Sequence, residues 1–302
     1  MLWLIITISF YSILAVVFLV DKYLLTGSIA NPKVYTFYVG TLGIAFLLLV
    51  PFVNFLVPTL PQIILALSAG AIYIFAIFWF YKSLQLFEAS RVVPAISGMV
   101  PLFTFGLVYI SSSGKEILSL SDIIAFVLLV LGSFLMAVEK EKFMNLQSLK
   151  ISAICALLLS LSFVLLKYVY LYMPFWSGLI WTKLGGFLTA ICFFVLAKEV
   201  REEIFQKKVI LKQKTMAIFI VNQAAGGGAS ILQNWAFALA PLAYIAIINA
   251  LQGVQYVFLL IFTILLSLKF PQILKEEISR KVILQKIIAI LLIGGGLAVL
   301  AV

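Results

Sequence analysis

The sequence predicts an all-α integral membrane protein of ten transmembrane helices, arranged as two inverted five-helix repeats within one transmembrane domain. Three observations predict it. Hydrophobic residues make up 65% of the chain and charged residues only 11%, where soluble domains carry about a quarter charged residues; the mean hydropathy is +1.22. Apolar runs recur along the whole chain, each of about 20 residues and so long enough, at about 1.5 Å per residue, to cross about 30 Å of hydrocarbon. Motifs of the first half also return in the second.

Taken in order, Met1 to Val20 has no basic n-region and no small-residue cleavage site, so it reads as a retained first span. Further spans are expected at 34–57, 61–81, 92–110, 119–138, 151–173, 177–197, 216–239, 243–268 and 283–302. Runs this long and continuous do not alternate as barrel strands do. Of the 21 Lys and Arg, eighteen fall in or beside odd-numbered connections, one (Lys115) in an even one, and two (Lys167 and Lys183) within spans. By the positive-inside rule the odd connections are cytoplasmic and both termini extracytoplasmic, in a plasma or inner membrane. The formal charge of +10 therefore sets topology, and no nucleic-acid partner is expected. Cys155 and Cys192 lie in apolar runs without metal-ligand spacing and there is no histidine, so both read as packing residues.

The repeat is carried by several matches in the same order. Phe80-Tyr-Lys-Ser-Leu through Pro94, Ser97, Gly98 and Pro101 matches Trp235-Ala-Phe-Ala-Leu through Asn249, Gln252, Gly253 and Tyr256 at an offset of 155. Upstream, Lys22-Tyr23 matches Lys167-Tyr168, and Tyr35-Thr36-Phe37-x-x-Gly40 matches Trp181-Thr182-Lys183-x-x-Gly186. Five spans per repeat is an odd number, so the copies lie inverted, as in alternating-access carriers. The halves are 1–142 and 143–302, joined by the charged segment Glu139–Lys150 as hinge or linker.

Ten spans as 5+5, with Glu88-Ala-Ser-Arg91-Val-Val-Pro94 entering the fourth and Asn249-Ala-Leu-Gln-Gly253 in the ninth, resembles the EamA-type branch of the drug/metabolite transporter superfamily. The resemblance covers essentially the whole chain. It implies a central cavity lined by helices 1–4 and 6–9, with helices 5 and 10 peripheral and available for homodimer contacts. It also implies a cargo among amino acids, metabolites, sugar phosphates, nucleotide-sugars and drugs, and no motif narrows that set.

The candidate substrate-binding residues are polar groups placed where hydrocarbon is expected. Lys167 and Lys183 each cost about 2.5–3.5 kcal/mol at a span centre. No Asp or Glu is expected deep in a span, so the lysines read as counter-charges for an anionic cargo. Snorkelling to the outer interface and deprotonation are the alternatives. At about 100° per residue Asn249, Gln252, Gly253, Gln255 and Tyr256 fall within one half of the helix circumference, and Asn222 and Gln233, eleven residues apart, share a face. Singly such amides serve equally as interhelical glue; five on two neighbouring spans favour a polar cavity. Trp181 and Tyr256 are candidates to stack on cargo. Pro94, Ser97, Gly98, Pro101 and Gly253 are assigned to gating or cavity shape, and Glu88, Arg91 and Lys22 to the cytoplasmic mouth. Gly226-Gly227-Gly228 would let a neighbour or ligand approach the eighth span closely; Gly294-Gly295-Gly296 would mark a packing or dimer seam.

These features predict a secondary transporter for a small polar or amphipathic metabolite, anionic or zwitterionic, working as facilitator or exchanger by alternating access. There is no P-loop to use ATP, no cofactor or metal motif, and no deep carboxylate for a proton relay. A flippase or scramblase for an anionic lipid headgroup is the alternative. An enzyme is not expected, because no nucleophile–base, metal-ligand or paired-carboxylate constellation appears.

Overall fold

The computed structural model describes residues 1–27, 31–87, 89–116, 118–137, 146–205, 213–269 and 280–301. Among them every regular element is helical: α1 (Leu2–Gly27), α2 (Pro32–Thr41) with a tight 3₁₀ continuation (Leu42–Phe52), α3 (Leu60–Leu86), α4 (Ala89–Ser111), α5 (Leu120–Ala137), α6 (Leu146–Tyr172), α7 (Phe175–Leu196), α8 (Lys198–Phe205), α9 (Gln213–Leu239), α10 (Tyr244–Ala250), α11 (Gln252–Lys269) and α12 (Arg280–Ala301). Among the described residues seven segments are long and apolar enough to cross a membrane: Leu2–Asp21, Pro32–Phe52, Leu60–Leu86, Leu146–Tyr172, Phe175–Leu196, Tyr244–Phe262 and Leu284–Ala301. Shorter apolar helices run over Ala95–Ser111 and Leu120–Met136. The chain is thus an all-α protein with the multi-pass character that its composition predicts.

Local chemistry sets the helix ends. The Asn31 side chain accepts the Lys33 backbone N–H at 3.0 Å, with Pro32 opening α2 where a missing N–H costs nothing. Ser119 and Asp122 cap α5 reciprocally, each side chain taking the other's backbone N–H at 3.2 Å. After α4 the chain turns through left-handed Gly114 (φ 73°), whose N–H reaches back to the Tyr109 carbonyl at 2.9 Å.

Four expectations about boundaries are corrected. α1 runs through Asp21 to Gly27 instead of ending at residue 20, and Leu146–Lys150, read as linker, is the first part of α6. The second span is not one α-helix but tightens to 3₁₀ geometry from Leu42, an unusually long run for that form. The ninth is not one helix either: it breaks at Leu251 into α10 and α11.

The core is built around α10, where Ile245, Ile247 and Ile248 are fully buried, as is Leu251 just after it. α10 packs on α4 and α5, while α1 lies along α9 and α11, α3 along α6 and α7, and α5 along α12. The α3–α7 seam is a backbone approach: a β-carbon at Gly70 would strike the Thr182 carbonyl, and one at Gly185 the backbone of Leu67. Gly296 meets Leu129 and the Ala125 carbonyl, so this member of the triple glycine serves the α5–α12 seam within the chain. Large apolar side chains such as Phe52 (84% exposed) and Leu196 (82%) face outward, as a lipid-facing surface requires.

Helix ends distant in sequence meet. Lys33 at the start of α2 pairs with Glu199 of α8 at 2.7 Å, and this contact holds the Glu199 carboxyl below its ordinary range. Gln62 in the first turn of α3 donates to the Tyr172 carbonyl at the end of α6 at 2.8 Å, and Tyr244 at the start of α10 donates to Asp122 in the first turn of α5 at 3.0 Å.

Candidate functional site

α9 carries the polar groups that organise the site, and, although expected as a span, it is not among the seven segments long and apolar enough to cross a membrane. Three charged side chains from other helices reach it at Asn222, Ser230 and Ala238, each eight residues after the last, which is about 12 Å of helix axis. The intervening Gly226-Gly227-Gly228 leaves this helix thin: a β-carbon at Gly226 would meet only Val17, at 3.6 Å, and one at Gly228 nothing within 4 Å.

At the middle station Lys183 of α7 donates to Ser230 Oγ at 2.6 Å and lies 5.0 Å from the centre of the Phe46 ring, contributed by the 3₁₀ segment. The bond network continues through α9. Asn234 Nδ2 donates to the Ser230 carbonyl at 2.6 Å, and Tyr170 of α6 donates to Asn234 Oδ1 at 2.5 Å. Phe175 stacks on Tyr170 (5.4 Å) and packs on Trp235 (5.9 Å), forming an aromatic layer beside these amides. Lys183 is half-buried, and the partners recorded for it are neutral. No carboxylate among the described residues pairs with it. An ammonium with a hydroxyl and an aromatic face but no counter-ion retains donor capacity for an anion.

Lys167 has a different surrounding. It is buried (3% exposed) and donates to the carbonyls of Ala240 at 2.6 Å and Ala238 at 3.2 Å. These belong to the end of α9, where carbonyls lack intrahelical partners and a lysine is a favourable cap. Lys167 is thus met by backbone carbonyls, and the two lysines reach α9 at points eight residues apart.

At the first station stands a group that the sequence reading placed outside the spans. Asp21 of α1 accepts Tyr35 Oη of α2 at 2.6 Å and Asn222 Nδ2 of α9 at 2.8 Å, both on Oδ1. Asp21 is the last residue of the apolar segment Leu2–Asp21, so it stands at a span end, as expected of the acids, but it is drawn into the helix packing by these two donors. Extending the first apolar run by one helical turn would have revealed it. Ser230, Asn234 and Tyr170 were also missed; the i, i+4 pair Ser230–Asn234 on a helix already marked by Asn222 and Gln233 was the available signal.

The stretch 249–256 straddles the helix break, and its groups hold the break together. Carbonyls loosened there accept side-chain donors: Ile248 O from Tyr11 of α1 at 3.0 Å, and Ala250 O from Ser133 of α5 at 2.7 Å. Unpaired carbonyls in an apolar core cost free energy, so these staples are what permits the break. Asn249 is buried and donates to Thr104 Oγ1 of α4 at 3.0 Å. Gln255 reaches the Leu14 carbonyl of α1 at 3.4 Å, and the buried Tyr256 hydroxyl lies toward Ser97 at a geometry short of a full hydrogen bond. Gly253 faces Ser133 and Ile293, not a cavity.

Of the other expected site residues, Gln233 and Gln252 are half-buried and make no hydrogen bond to a described side chain or backbone group. Trp181 packs with Ala66, Ala69 and Val169 with its indole Nε1 buried and unpartnered; two residues from Lys183, it points to another face of α7. Pro101 is buried in α4, and Gly98 lies near Phe134. Glu88 lies outside the described residues, as do the side chains of Lys22, Arg91 and Pro94 and the junction at 142/143.

No family model matches the chain, and no curated protein is similar to it. A crystal structure of another protein superposes on 99% of this chain and 94% of its own, with a TM-score of 0.68 at 17% identity. The chain therefore shares its fold with a protein of known structure along nearly its whole length.

Proposed function

We propose that this chain is a secondary transporter that moves a small organic solute bearing a carboxylate or phosphate, with Lys183 as the counter-charge. The observation that carries the reading is the Lys183 ammonium held between Ser230 and Phe46 without an anionic partner among the described residues. Asn234, Tyr170 and the Phe175–Trp235 layer supply hydrogen-bonding and stacking groups next to Ser230, with Gln233 three residues after Ser230 on the same helix.

Alternating access by two inverted repeats, α1–α5 and α6–α12, completes the reading. An unequal closure supports it. α3 meets α7 backbone to backbone at Gly70 and Gly185, whereas its repeat counterpart α9 meets α2, the counterpart of α7, through the rings of Phe219, Tyr35 and Tyr38. One state of an inverted-repeat carrier has this inequality, and exchanging the tight seam between halves is the transport step. The preference for a facilitator or exchanger over a proton symporter rests on the absence of histidine and of any carboxylate deep in a span; Asp21, at the end of its span, is the acid that would qualify it.

A panel of carboxylates and phosphate esters screened by thermal stabilisation of the purified protein tests the site. Solutes that raise the unfolding temperature of the parent should fail to do so with Lys183→Ala, while Lys183→Arg keeps part of the effect. Equal stabilisation of parent and Lys183→Ala would remove Lys183 from the site.

Headgroup flipping is kept by one observation. A groove of about 750 Å³ runs beside α3 and α7, from Phe75 and Phe78 to Lys33, Lys198 and Glu199. Transfer of a fluorescent anionic lipid between leaflets, without solute flux, would favour this second reading.

A further inference from the structure

We propose that Asp21 is a proton-binding site whose charge state governs closure of the α1–α2–α9 end of the molecule. Both recorded donors, Tyr35 Oη and Asn222 Nδ2, are neutral and both engage Oδ1, at 2.6 and 2.8 Å. That arrangement serves either protonation state: a neutral carboxyl carries its proton on Oδ2 and still accepts on Oδ1. No Lys or Arg among the described residues pairs with the carboxylate.

Rings pack around the Tyr35 donor. Tyr35 packs edge-on against Tyr81 of α3 at 4.7 Å and Phe219 of α9 at 6.2 Å, and Tyr38 packs on Phe219 at 6.3 Å. Among the described residues, the titratable side chains within electrostatic reach of Asp21 are Tyr35 on α2 and Tyr73 and Tyr81 on α3. From the other elements packed here, α9 contributes the amides Asn222 and Gln223 and α11 the amide Gln255. The Lys22 side chain lies outside the described residues.

The consequence follows from solvation. A neutral carboxyl keeps both bonds on Oδ1 and is the cheaper form to enclose beside these rings, whereas a carboxylate whose described partners are all neutral gains by admitting water. A proton taken from the aqueous side onto Oδ2 closes the end, and its return to water opens it. The same two donors tie the acid to α2 and α9, so the change is felt by the seam that moves. As a coupling site for transport this rests on the transport reading; as a proton-driven closure it stands apart.

The experiment reads closure without any cargo, so its failure and the failure of the transport reading are distinguishable. Spin labels at Leu86→Cys on α3 and Met216→Cys on α9, both exposed, report the distance across this end in full-length protein with Cys155 and Cys192 changed to alanine. The distance should lengthen reversibly on going from acid to alkaline pH. In Asp21→Asn it should stay short throughout, and in Asp21→Glu the switch should persist. Glu199→Gln, which removes the surface pair with Lys33, should leave the switch intact. A distance independent of pH in the parent, or a switch unchanged in Asp21→Asn, overturns the proposal. Should Asp21→Asn fail to fold, Asp21→Glu and Tyr35→Phe decide: both must displace the midpoint, and an unmoved midpoint in both overturns it.

Discussion

Lys167 and Lys183 carry the same charge and receive opposite treatment from the fold. Lys167 meets the terminal carbonyls of α9 at 2.6 and 3.2 Å, so removing its ammonium leaves buried acceptors unsatisfied, at a cost of about 1–3 kcal/mol. Lys183 has one hydroxyl and one ring face, so its removal costs the empty protein little. Lys167→Met should therefore lower the thermal unfolding temperature in detergent, while Lys183→Met leaves it unchanged or raises it; equal losses would contradict this division. The presence of both lysines in apolar runs is plain in the sequence. Their fates are not, because the partners of one are backbone carbonyls from a helix end about seventy residues away. Asp21 escaped for a simpler reason: hydropathy falls at residue 21, but α1 continues to Gly27.

Among the helices, glycine has two uses that the sequence does not distinguish. Gly70 and Gly185 sit where α3 and α7 touch through backbone, whereas Gly228 faces open space. Gly70→Ala should destabilise by about 1–3 kcal/mol through overpacking, and Gly228→Ala should be neutral or stabilise by up to about 1 kcal/mol. Unfolding in a denaturing detergent reads both, and a tolerated Gly70→Ala would show that the α3–α7 seam is looser than described. The polar stretch 249–256 illustrates the limit of periodicity. The rule of 100° per residue puts its polar groups on one face only if the helix is continuous. The break at Leu251 gives Asn249 one axis and Gln252–Tyr256 another, so they point to different neighbours: α4 for Asn249, α1 for Gln255 and α5 for Gly253. No proline or glycine at 251 announces the break. It depends on Tyr11 and Ser133, which come from helices distant in sequence.

For the whole molecule, composition makes the all-helical membrane class legible, while the contacts that tie distant helix ends, Lys33–Glu199 and Tyr244–Asp122, are not. What composition cannot supply is the order of charges along the interior. Asp21, Lys183 and Lys167 address α9 at Asn222, Ser230 and Ala238, from one end of that helix to the other. In the proposed cycle the lysine in the middle holds the cargo anion and the acid nearer one end senses protons. The central claim is that Lys183 binds the solute that crosses. Its most direct test is flux of a stabilising carboxylate or phosphate solute into liposomes containing the parent protein or Lys183→Ala. The account predicts saturable uptake by the parent and its loss in Lys183→Ala, with folding unchanged. Equal uptake by both, or leakage no faster than protein-free liposomes for every solute that stabilises the protein, would contradict it.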